Sequence, residues 1–243
     1  MRCRGATLGL VNPAHPLPAE LAPPAFAPAL PGRIRRAAGA AGGGHAGSAA
    51  GRHPRGGAHR ARQRLAPPRA EQQALYADSV RDNGPEFTQK YVALPGCSEH
   101  ETGLAIDVGE AREVIDFIRP AFPDTGVCAA FRRAAARYGF IERYPKGAQA
   151  VTGIGHEPWH FRYVGWPHAG LMAQRGVTLE EYIEPWGHAR RTAAARGGRG
   201  TRLRHLSCAA GPEGARFDAP RASVWQASAD NCGGLVVTVW GAV

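Results

Sequence analysis

The sequence predicts an α+β fold, in which helices and strands follow one another between about residues 70 and 188. Two kinds of apolar spacing carry this prediction: side chains three or four positions apart, which are typical of helices, and alternation, which is typical of strands. A third observation confines the core to this region. The flanking segments are rich in Ala, Gly, Arg and Pro and hold too few bulky apolar residues to offset the entropy of ordering.

The first predicted helix lies in "AEQQALYADSVRDNG", where Leu75, Tyr76 and Val80 have helical spacing and an Asn-Gly pair ends the pattern. A loop that runs through Pro95 is expected to follow it.

A half-buried strand is predicted next, in "GLAIDVG". Leu104, Ile106 and Val108 alternate with Ala105 and Asp107. The alternation turns Asp107 to the face opposite the leucine and the valine, which a functional carboxylate would need.

The remaining elements have recognisable ends. "GVCAAFRRAAARYGF" predicts a helix that Gly139 terminates, and "TGIGHEPWHFRYVG" predicts a turn followed by a strand. "TLEEYIEPW" predicts a short helix with Thr178 as its N-cap. "SVWQASADNCGGLVVTVWG" predicts a β-hairpin around Asp230-Asn231 and the following Gly pair.

These elements divide the chain into four segments. Residues 1–69 form a Pro/Ala/Gly/Arg-rich segment that is expected to be disordered or degenerate, and residues 70–188 form the core. Residues 189–222 are an Arg/Ala/Gly-rich linker, and residues 223–243 are the hairpin. Because residues about 25–69 and about 189–222 are rich in Ala, Arg, Gly and Pro and contain no Lys, we hypothesise that these two stretches are read out of frame from GC-rich DNA.

The formal net charge of +10 suggests a nucleic-acid partner, but its distribution disfavours that class. Between Glu71 and His188 there are 16 acidic and 11 basic residues, so the other 19 basic residues, all Arg, lie in the flanks. The flank stretch "PGRIRRAAGAAGGGHAGSAAGRHPRGGAHRARQR" contains neither the Lys nor the interleaved aromatic residues of a nucleic-acid-binding face. We therefore expect no nucleic-acid partner.

The five cysteines are scattered and show no CxxC spacing, which favours neither a disulfide framework nor a thiolate zinc site. No apolar run is long enough to span a membrane, and the first residues do not form a secretory signal. The compartment therefore stays open at this stage.

Two short stretches contain residues of the types found in catalytic zinc sites. His100 and Asp107 lie in "SEHETGLAIDV" and His160 lies in "EPWH"; imidazole nitrogens and a carboxylate bind zinc in sites that keep the fourth position for water. Glu157 is placed to act as general base on a zinc-bound water and to pass the proton to a leaving amine. Each stretch alone also fits a capped loop with a solvated strand, or a turn that packs an indole.

Together the stretches resemble a known family. "SEHETGLAIDV" and "GHEPWHFRYVG" are similar to the Ser-x-His-x-x-Gly-x-Ala-x-Asp and Glu-x-Trp-His signatures of VanY-type D-alanyl-D-alanine carboxypeptidases, which belong to a wider group of zinc peptidases with lysostaphin-like enzymes and hedgehog domains. The resemblance extends from about Ala70 to Trp186, and shorter similar stretches occur in "LVNPAHPLP" and in the C-terminal hairpin.

The resemblance implies a small antiparallel sheet flanked by helices around a mononuclear zinc site. It implies that His100, Asp107 and His160 hold Zn²⁺ and that Glu157 is the catalytic base. The implied reaction is hydrolysis of the terminal D-Ala of peptidoglycan stem peptides or their precursors, which would be the partners of the protein.

Four residues are predicted to contact the substrate: Ser98, Gln72, Gln73 and Arg162. Ser98 matches the serine of the family motif and also fits a turn residue. Gln72 or Gln73 matches a glutamine of the family. Arg162 lies on the same strand face as His160 and is expected either to reach the substrate or to pair with an acidic side chain.

One family residue is missing. The arginine expected to hold the terminal carboxylate of the substrate is replaced, by its spacing, with Pro67. Arg69 lies close enough to substitute for it, and also fits a solvated loop arginine.

Other histidines and cysteines near the motifs are expected to have minor roles. His156 is predicted to lie outside the ligand group, because a fourth protein ligand would close the position that water needs. His168 is predicted to be a surface loop residue, and Cys97 a bystander.

Several functions remain open. A D,D-dipeptidase or a cell-wall endopeptidase would use the same ligands, and the chain also fits a zinc-binding but inactive remnant of the family. The family suggests the cell envelope or the exterior, whereas the lack of a visible signal also allows the cytoplasm.

Overall fold

The computed structural model of the chain describes residues 7–18, 49–52, 58–62, 69–110, 116, 118–184, 192–196, 202–209 and 224–241. Its main sheet has five antiparallel strands in the order β1-β2-β3-β5-β4. The strands are β1 (Ala49–Arg52), β2 (Ala58–Arg62), β3 (Ala105–Glu110), β4 (Phe140–Tyr144) and β5 (Glu157–Tyr163). This arrangement confirms the predicted α+β class with a small antiparallel sheet.

Six helices accompany this sheet among the described residues: α1 (Arg69–Asn83), α2 (Pro85–Tyr91), α3 (Gly126–Ala135), α4 (Gln149–Thr152), α5 (Trp166–Arg175) and α6 (Leu179–Ile183). Two 3₁₀ turns are added, at Glu99–Thr102 and Ala136–Tyr138. None of these helices combines the length and the apolar character needed to cross a bilayer.

The predicted helix ends are confirmed. α6 begins with a capping box, in which the Thr178 side chain accepts a hydrogen bond from the Glu181 backbone and the Glu181 carboxylate accepts one from the Thr178 backbone. Gly139 terminates the α3 segment with φ of 85°. A side chain there would come within about 2.9 Å of the Trp166 backbone, so this position requires glycine on two grounds.

One face of the main sheet carries an aromatic core that α3 covers. Its buried members are Val108, Phe122, Cys128, Ala135, Phe140, Trp159 and Phe161. Because successive side chains of a strand point to opposite faces, Asp107 and His160 lie on the other face, next to these core residues in sequence. The aromatic core thus fixes the strands from which the functional side chains project.

A second core joins the two ends of the chain to the middle. It contains Leu8 and Leu10 from the N-terminal segment, Val236 from the C-terminal hairpin and apolar residues of α5 and α6. Polar contacts reinforce it: Leu10 N donates to Asp230 O at 2.9 Å, and Asn231 Nδ2 donates to the Leu10 carbonyl at 2.8 Å. Part of the N-terminal segment that was expected to be disordered is therefore buried.

A second sheet of four antiparallel strands lies at the C-terminal end, in the order β6-β7-β9-β8. It consists of β6 (Thr192–Arg196), β7 (Arg202–Ala209), β8 (Val224–Ala229) and β9 (Gly234–Gly241). The β8-β9 pair is the predicted hairpin and is confirmed. Strands β6 and β7 lie within residues 189–222, which were interpreted as a linker: β7 pairs with β9 of the hairpin, and β6 pairs with β7.

Residues 49–52 and 58–62 of the N-terminal low-complexity segment also form strands: β2 pairs with β3, and β1 pairs with β2. Their Ala/Gly/Arg composition hid this, because backbone hydrogen bonds at an open strand edge require no particular side chains. The rest of the N-terminal low-complexity stretch lies outside the described residues. The division of the chain into four segments stays a prediction.

Two predictions within the core were wrong, and the buried face of α1 differs from its apolar spacing. The loop expected before Pro95 contains α2. α1 forms as predicted, but its buried residues are the polar Gln72 and Ser79, and Ser79 Oγ lies 2.9 Å from Thr88 Oγ1 of α2. His168 lies in α5, buried, with Nδ1 3.0 Å from the Tyr182 hydroxyl, and is not a surface loop residue.

Candidate metal centre

Strands β3 and β5 bring two of the predicted ligands side by side. In their antiparallel register Asp107 lies directly opposite His160. Directly opposed residues on one face have their Cβ atoms about 5 Å apart, which allows a carboxylate and an imidazole to meet. His160 Nδ1 lies 2.9 Å from Asp107 Oδ1.

The third predicted ligand, His100, comes from the 3₁₀ turn just before β3. Gly103 closes this turn with φ of 69°, and its N–H donates to the His100 carbonyl at 3.0 Å. The turn sets the imidazole beside the strand, with His100 Nε2 3.3 Å from Asp107 Oδ2.

The three side chains form a group that fits a metal ion, with their ligand atoms all within 4.8 Å of one another. Two nitrogens and one carboxylate are a donor set that zinc takes, and tetrahedral bonds of about 2.0–2.2 Å need ligand atoms about 3.4 Å apart. The two distances to Asp107 are close to that value. His100 Nδ1 is buried without a hydrogen-bond partner among the described residues.

Glu157 approaches the same group, with its Oε2 4.0 Å from His160 Nδ1. A regular strand would turn these side chains to opposite faces, because three positions separate them. The pairing of β4 with β5 is irregular at this place: Glu142 lies opposite Phe161, whereas Tyr144 lies opposite Glu157. The bulge therefore accommodates both side chains on one side.

The charges of the group are strongly coupled. Burial raises the pKa of Glu157 to about 8, with a further contribution from the Asp107 charge. Burial opposes charge on His160, but hydrogen bonds to Asp107 and Glu99 outweigh it and raise the pKa of His160 to about 10. Without a metal, the site therefore holds protons at neutral pH, and a metal ion that takes the Nδ1 lone pair of His160 must release one.

Behind His160 lies a buried cluster of four charged side chains. Glu99 Oε1 accepts a hydrogen bond from Arg143 Nε at 2.7 Å and lies 2.9 Å from Arg162 Nη1. Arg143 also binds both carboxylate oxygens of Glu180, at 2.8 and 2.5 Å. We call Glu99, Arg143, Arg162 and Glu180 the support cluster.

Sequence reasoning did not single out Glu99, Arg143 or Glu180. A signal for Glu99 was present, since it stands between the motif residues Ser98 and His100. Nothing local marks Arg143, which reaches Glu99 from 44 positions away along the chain, or Glu180, which reaches Arg143 from 37 positions away.

The four residues that were predicted to contact the substrate differ in their burial and in their partners. The Arg162 side chain is fully buried and pairs with Glu99, which is the acid-pairing alternative for this residue. Gln72 is buried and donates to the Ala93 carbonyl at 2.8 Å, while Gln73 is exposed. Ser98 is buried directly before the turn that carries His100. The placements of Gln72 and Arg162 speak against direct contact with a substrate.

Two further predictions concern residues around the group. His156 lies outside it, with Nε2 3.3 Å from Glu142 Oε1, and its side chain is 41% exposed. Arg69 donates to the Leu17 carbonyl at 2.9 Å and lies against Gly96, shortly before Ser98. Pro67 lies outside the described residues.

Comparison with known proteins gives matches that cover this site. The sequence profile described as VanY, D-alanyl-D-alanine carboxypeptidase, matches residues 68–166. A bifunctional D-Ala-D-Ala dipeptidase and carboxypeptidase, VanXYC of Enterococcus gallinarum, is 50% identical over 113 residues, which are 46% of this chain and 60% of that protein. The chain thus spans about three fifths of the length of this relative.

Solved structures extend the likeness. The vancomycin resistance D,D-dipeptidase VanXYg, in complex with a D-Ala-D-Ala phosphinate analog, is 35% identical, with a TM-score of 0.77 over 97% of this chain and 94% of that one. A mutant of the D,D-pentapeptidase VanY in complex with Zn(II) is 25% identical, with a TM-score of 0.50 over 73% of this chain and 98% of that one. The chain therefore belongs to the VanY family of D-Ala-D-Ala carboxypeptidases and dipeptidases.

Proposed function

We propose that the chain is a zinc-dependent peptidase that removes the terminal D-Ala from peptidoglycan stem peptides ending in D-Ala-D-Ala. The observation that carries this proposal is the convergence of His100 Nε2, Asp107 and His160 Nδ1 beside the Glu157 carboxylate. Three ligands and a neighbouring carboxylate are the minimal set for metal-assisted hydrolysis.

The proposed ligand residues can bind a cation only through unprotonated atoms. His100 and His160 each present one nitrogen to Asp107 and must keep that nitrogen unprotonated to bind a cation. A zinc ion held by these residues would act as a Lewis acid and lower the pKa of a bound water to about 7.

Glu157 is the proposed proton carrier. Its carboxylate must be charged to accept a proton from the attacking water, and a positive charge within a few ångströms favours that form. Glu157 then returns the proton to the nitrogen of the leaving D-Ala, so that the amine departs neutral. Burial of Glu157 and the packing of the Tyr144 ring on His160, with ring centroids 5.0 Å apart, limit the freedom of these groups.

Recognition of the terminal carboxylate is assigned to the segment before His100. Ser98 belongs to the loop that enters the site, and Arg69 lies against Gly96 of the same loop, with its guanidinium exposed. We propose Arg69 as the group that replaces the missing family arginine at Pro67, since a guanidinium binds a carboxylate with two hydrogen bonds.

A D,D-dipeptidase is the second candidate, because the D,D-dipeptidase structure matches nearly the whole chain. The test compares two substrates with zinc supplied: a stem pentapeptide ending in D-Ala-D-Ala, and free D-Ala-D-Ala. D-Ala release from the pentapeptide that a chelator abolishes supports the carboxypeptidase, and turnover of the dipeptide alone supports the dipeptidase. Folded, zinc-loaded protein that hydrolyses neither would mark an inactive remnant.

A further inference from the structure

The two histidines of the metal group differ in what faces their second nitrogen. His160 Nε2 lies 3.4 Å from Glu99 Oε2, whereas His100 Nδ1 has no partner among the described residues. A carboxylate that accepts the second N–H of a ligand histidine fixes its tautomer and its orientation. His160 therefore has a support that His100 lacks.

The two oxygens of Glu99 have separate tasks. Oε1 takes both guanidinium groups, from Arg143 at 2.7 Å and from Arg162 at 2.9 Å, which leaves Oε2 for the imidazole. The Glu99 and Arg143 side chains are both fully buried, so water does not compete for these contacts.

The support cluster is balanced in charge and anchored at both ends. Two carboxylates and two guanidinium groups give no net charge, which makes burial of all four tolerable. Arg162 Nη2 also donates to the backbone carbonyls of Gly9 at 2.9 Å and Thr7 at 3.3 Å. The N-terminal segment thus accepts hydrogen bonds from the arginine whose Nη1 forms an ion pair with Glu99.

We propose that Glu99 is a positioning residue of the metal centre: it directs the Nδ1 lone pair of His160 towards the metal, and the buried arginines hold it in place. This inference rests on the proposed zinc site. It differs from a merely structural role, in which Glu99 would only neutralise Arg143 and Arg162.

Glu180 offers the matched control. It also pairs with Arg143 but has no contact with His160 among the described residues. Glu99→Gln and Glu180→Gln each remove one negative charge from the support cluster and keep the side-chain shape. Only Glu99→Gln removes the carboxylate that faces the imidazole.

The experiment measures zinc affinity of the full chain by competition with a chromophoric chelator, together with thermal unfolding and the visible spectrum of the Co²⁺-substituted protein. We expect Glu99→Gln to weaken zinc binding about 10- to 100-fold and to change the Co²⁺ spectrum. Glu180→Gln is expected to lower the unfolding temperature while it keeps the wild-type zinc affinity and spectrum.

The inference is overturned if folded Glu99→Gln binds zinc as tightly as wild type, or if Glu180→Gln weakens binding equally. Should Glu99→Gln fail to fold, Glu99→Asp decides, because it keeps the charge but withdraws the carboxylate by one methylene. A positioning role then requires weaker zinc binding and an altered Co²⁺ spectrum in a folded protein. Wild-type protein that binds no zinc would instead refute the proposed function itself.

Discussion

The two sides of His160 differ in their access to water. On the side of Nδ1, Asp107 is 20% exposed and His100 is 12% exposed, so solvent reaches these side chains. On the side of Nε2, the side chains of Glu99, Arg143 and Arg162 are fully buried. Hydrolysis needs an open position for water, whereas charges hold a geometry best where water does not compete. The imidazole of His160 thus separates a partly exposed side, which we call the reaction side, from a fully buried side, which we call the support side.

The largest effect is expected from a change on the reaction side. Glu157→Gln keeps the size of the side chain but removes the proton acceptor, so turnover of D-Ala-D-Ala substrates should fall about 10²- to 10⁴-fold. Zinc content should stay at the wild-type level, as measured by metal analysis. Glu86→Gln, on the exposed part of α2, is the matched control and should retain full activity. A Glu157→Gln protein with normal turnover would exclude Glu157 as the base.

The next largest effect is expected from a substitution on the support side, which should lower the free energy of unfolding. Arg143→Met leaves Glu99 and Glu180 without their shared guanidinium, and loss of one partner of a buried ion pair costs about 3–5 kcal/mol of the free energy of unfolding. Urea denaturation of both proteins measures this difference.

Arg132→Met serves as the comparison, because Arg132 pairs with Glu142 and Asp124 in a more exposed place and should contribute about 1 kcal/mol or less. Equal losses of the free energy of unfolding in the two variants would show that the buried ion pairs of Arg143 contribute no more than the more exposed ion pairs of Arg132.

The pH dependence of the metal-free protein sharpens the comparison. The pKa of Glu157 is raised from 4.5 to about 8, so the stabilisation from its bound proton is complete below about pH 4.5 and is lost as the pH rises towards 8. His160, raised from 6.5 to about 10, loses its contribution in the same direction over that higher range. We therefore expect the Tm of the metal-free protein to decrease as the pH rises from about 4.5 to about 10.

With zinc the trend should reverse, because the ligands bind the ion only when deprotonated. Scanning calorimetry at several pH values, with zinc or with a chelator, measures both trends. Glu157→Gln should flatten the lower part of the metal-free profile. A metal-free Tm that rises with pH above about 5 would contradict the assigned protonation states.

The smallest effect concerns the outer end of the support side. Asn231 adopts φ of 61° and donates to the Leu10 and His15 carbonyls, which fixes the segment that meets Arg162. Asn231→Ala should lower the free energy of unfolding by about 1–2 kcal/mol, from lost hydrogen bonds and a strained backbone. Asn231→Gly relieves the backbone strain, so it should lose less. Equal stability of all three proteins in urea would show that this contact is not important.

The sequence predicted an element correctly where the signal for it lies in neighbouring residues. The alternation in "GLAIDVG" predicted β3 and the orientation of Asp107, and "TLEEYIEPW" predicted α6 with its N-cap. It was less informative where burial reverses the usual preference. α1 buries Gln72 and Ser79, because each side chain has a hydrogen-bond partner: the Ala93 carbonyl for Gln72 and the Thr88 hydroxyl for Ser79.

By itself, the sequence determined which residue types are available for a metal centre, because two short motifs contain the predicted ligands and the predicted base. Only the tertiary structure decided how they meet: the register of β3 with β5 sets Asp107 opposite His160, and a bulge brings Glu157 to the same side. It also decided that Arg162 faces Glu99 in a dry cluster that the distant N-terminal segment completes. The physical reason is that strand pairing and burial of charge join residues far apart in the chain, and no local pattern records those partners.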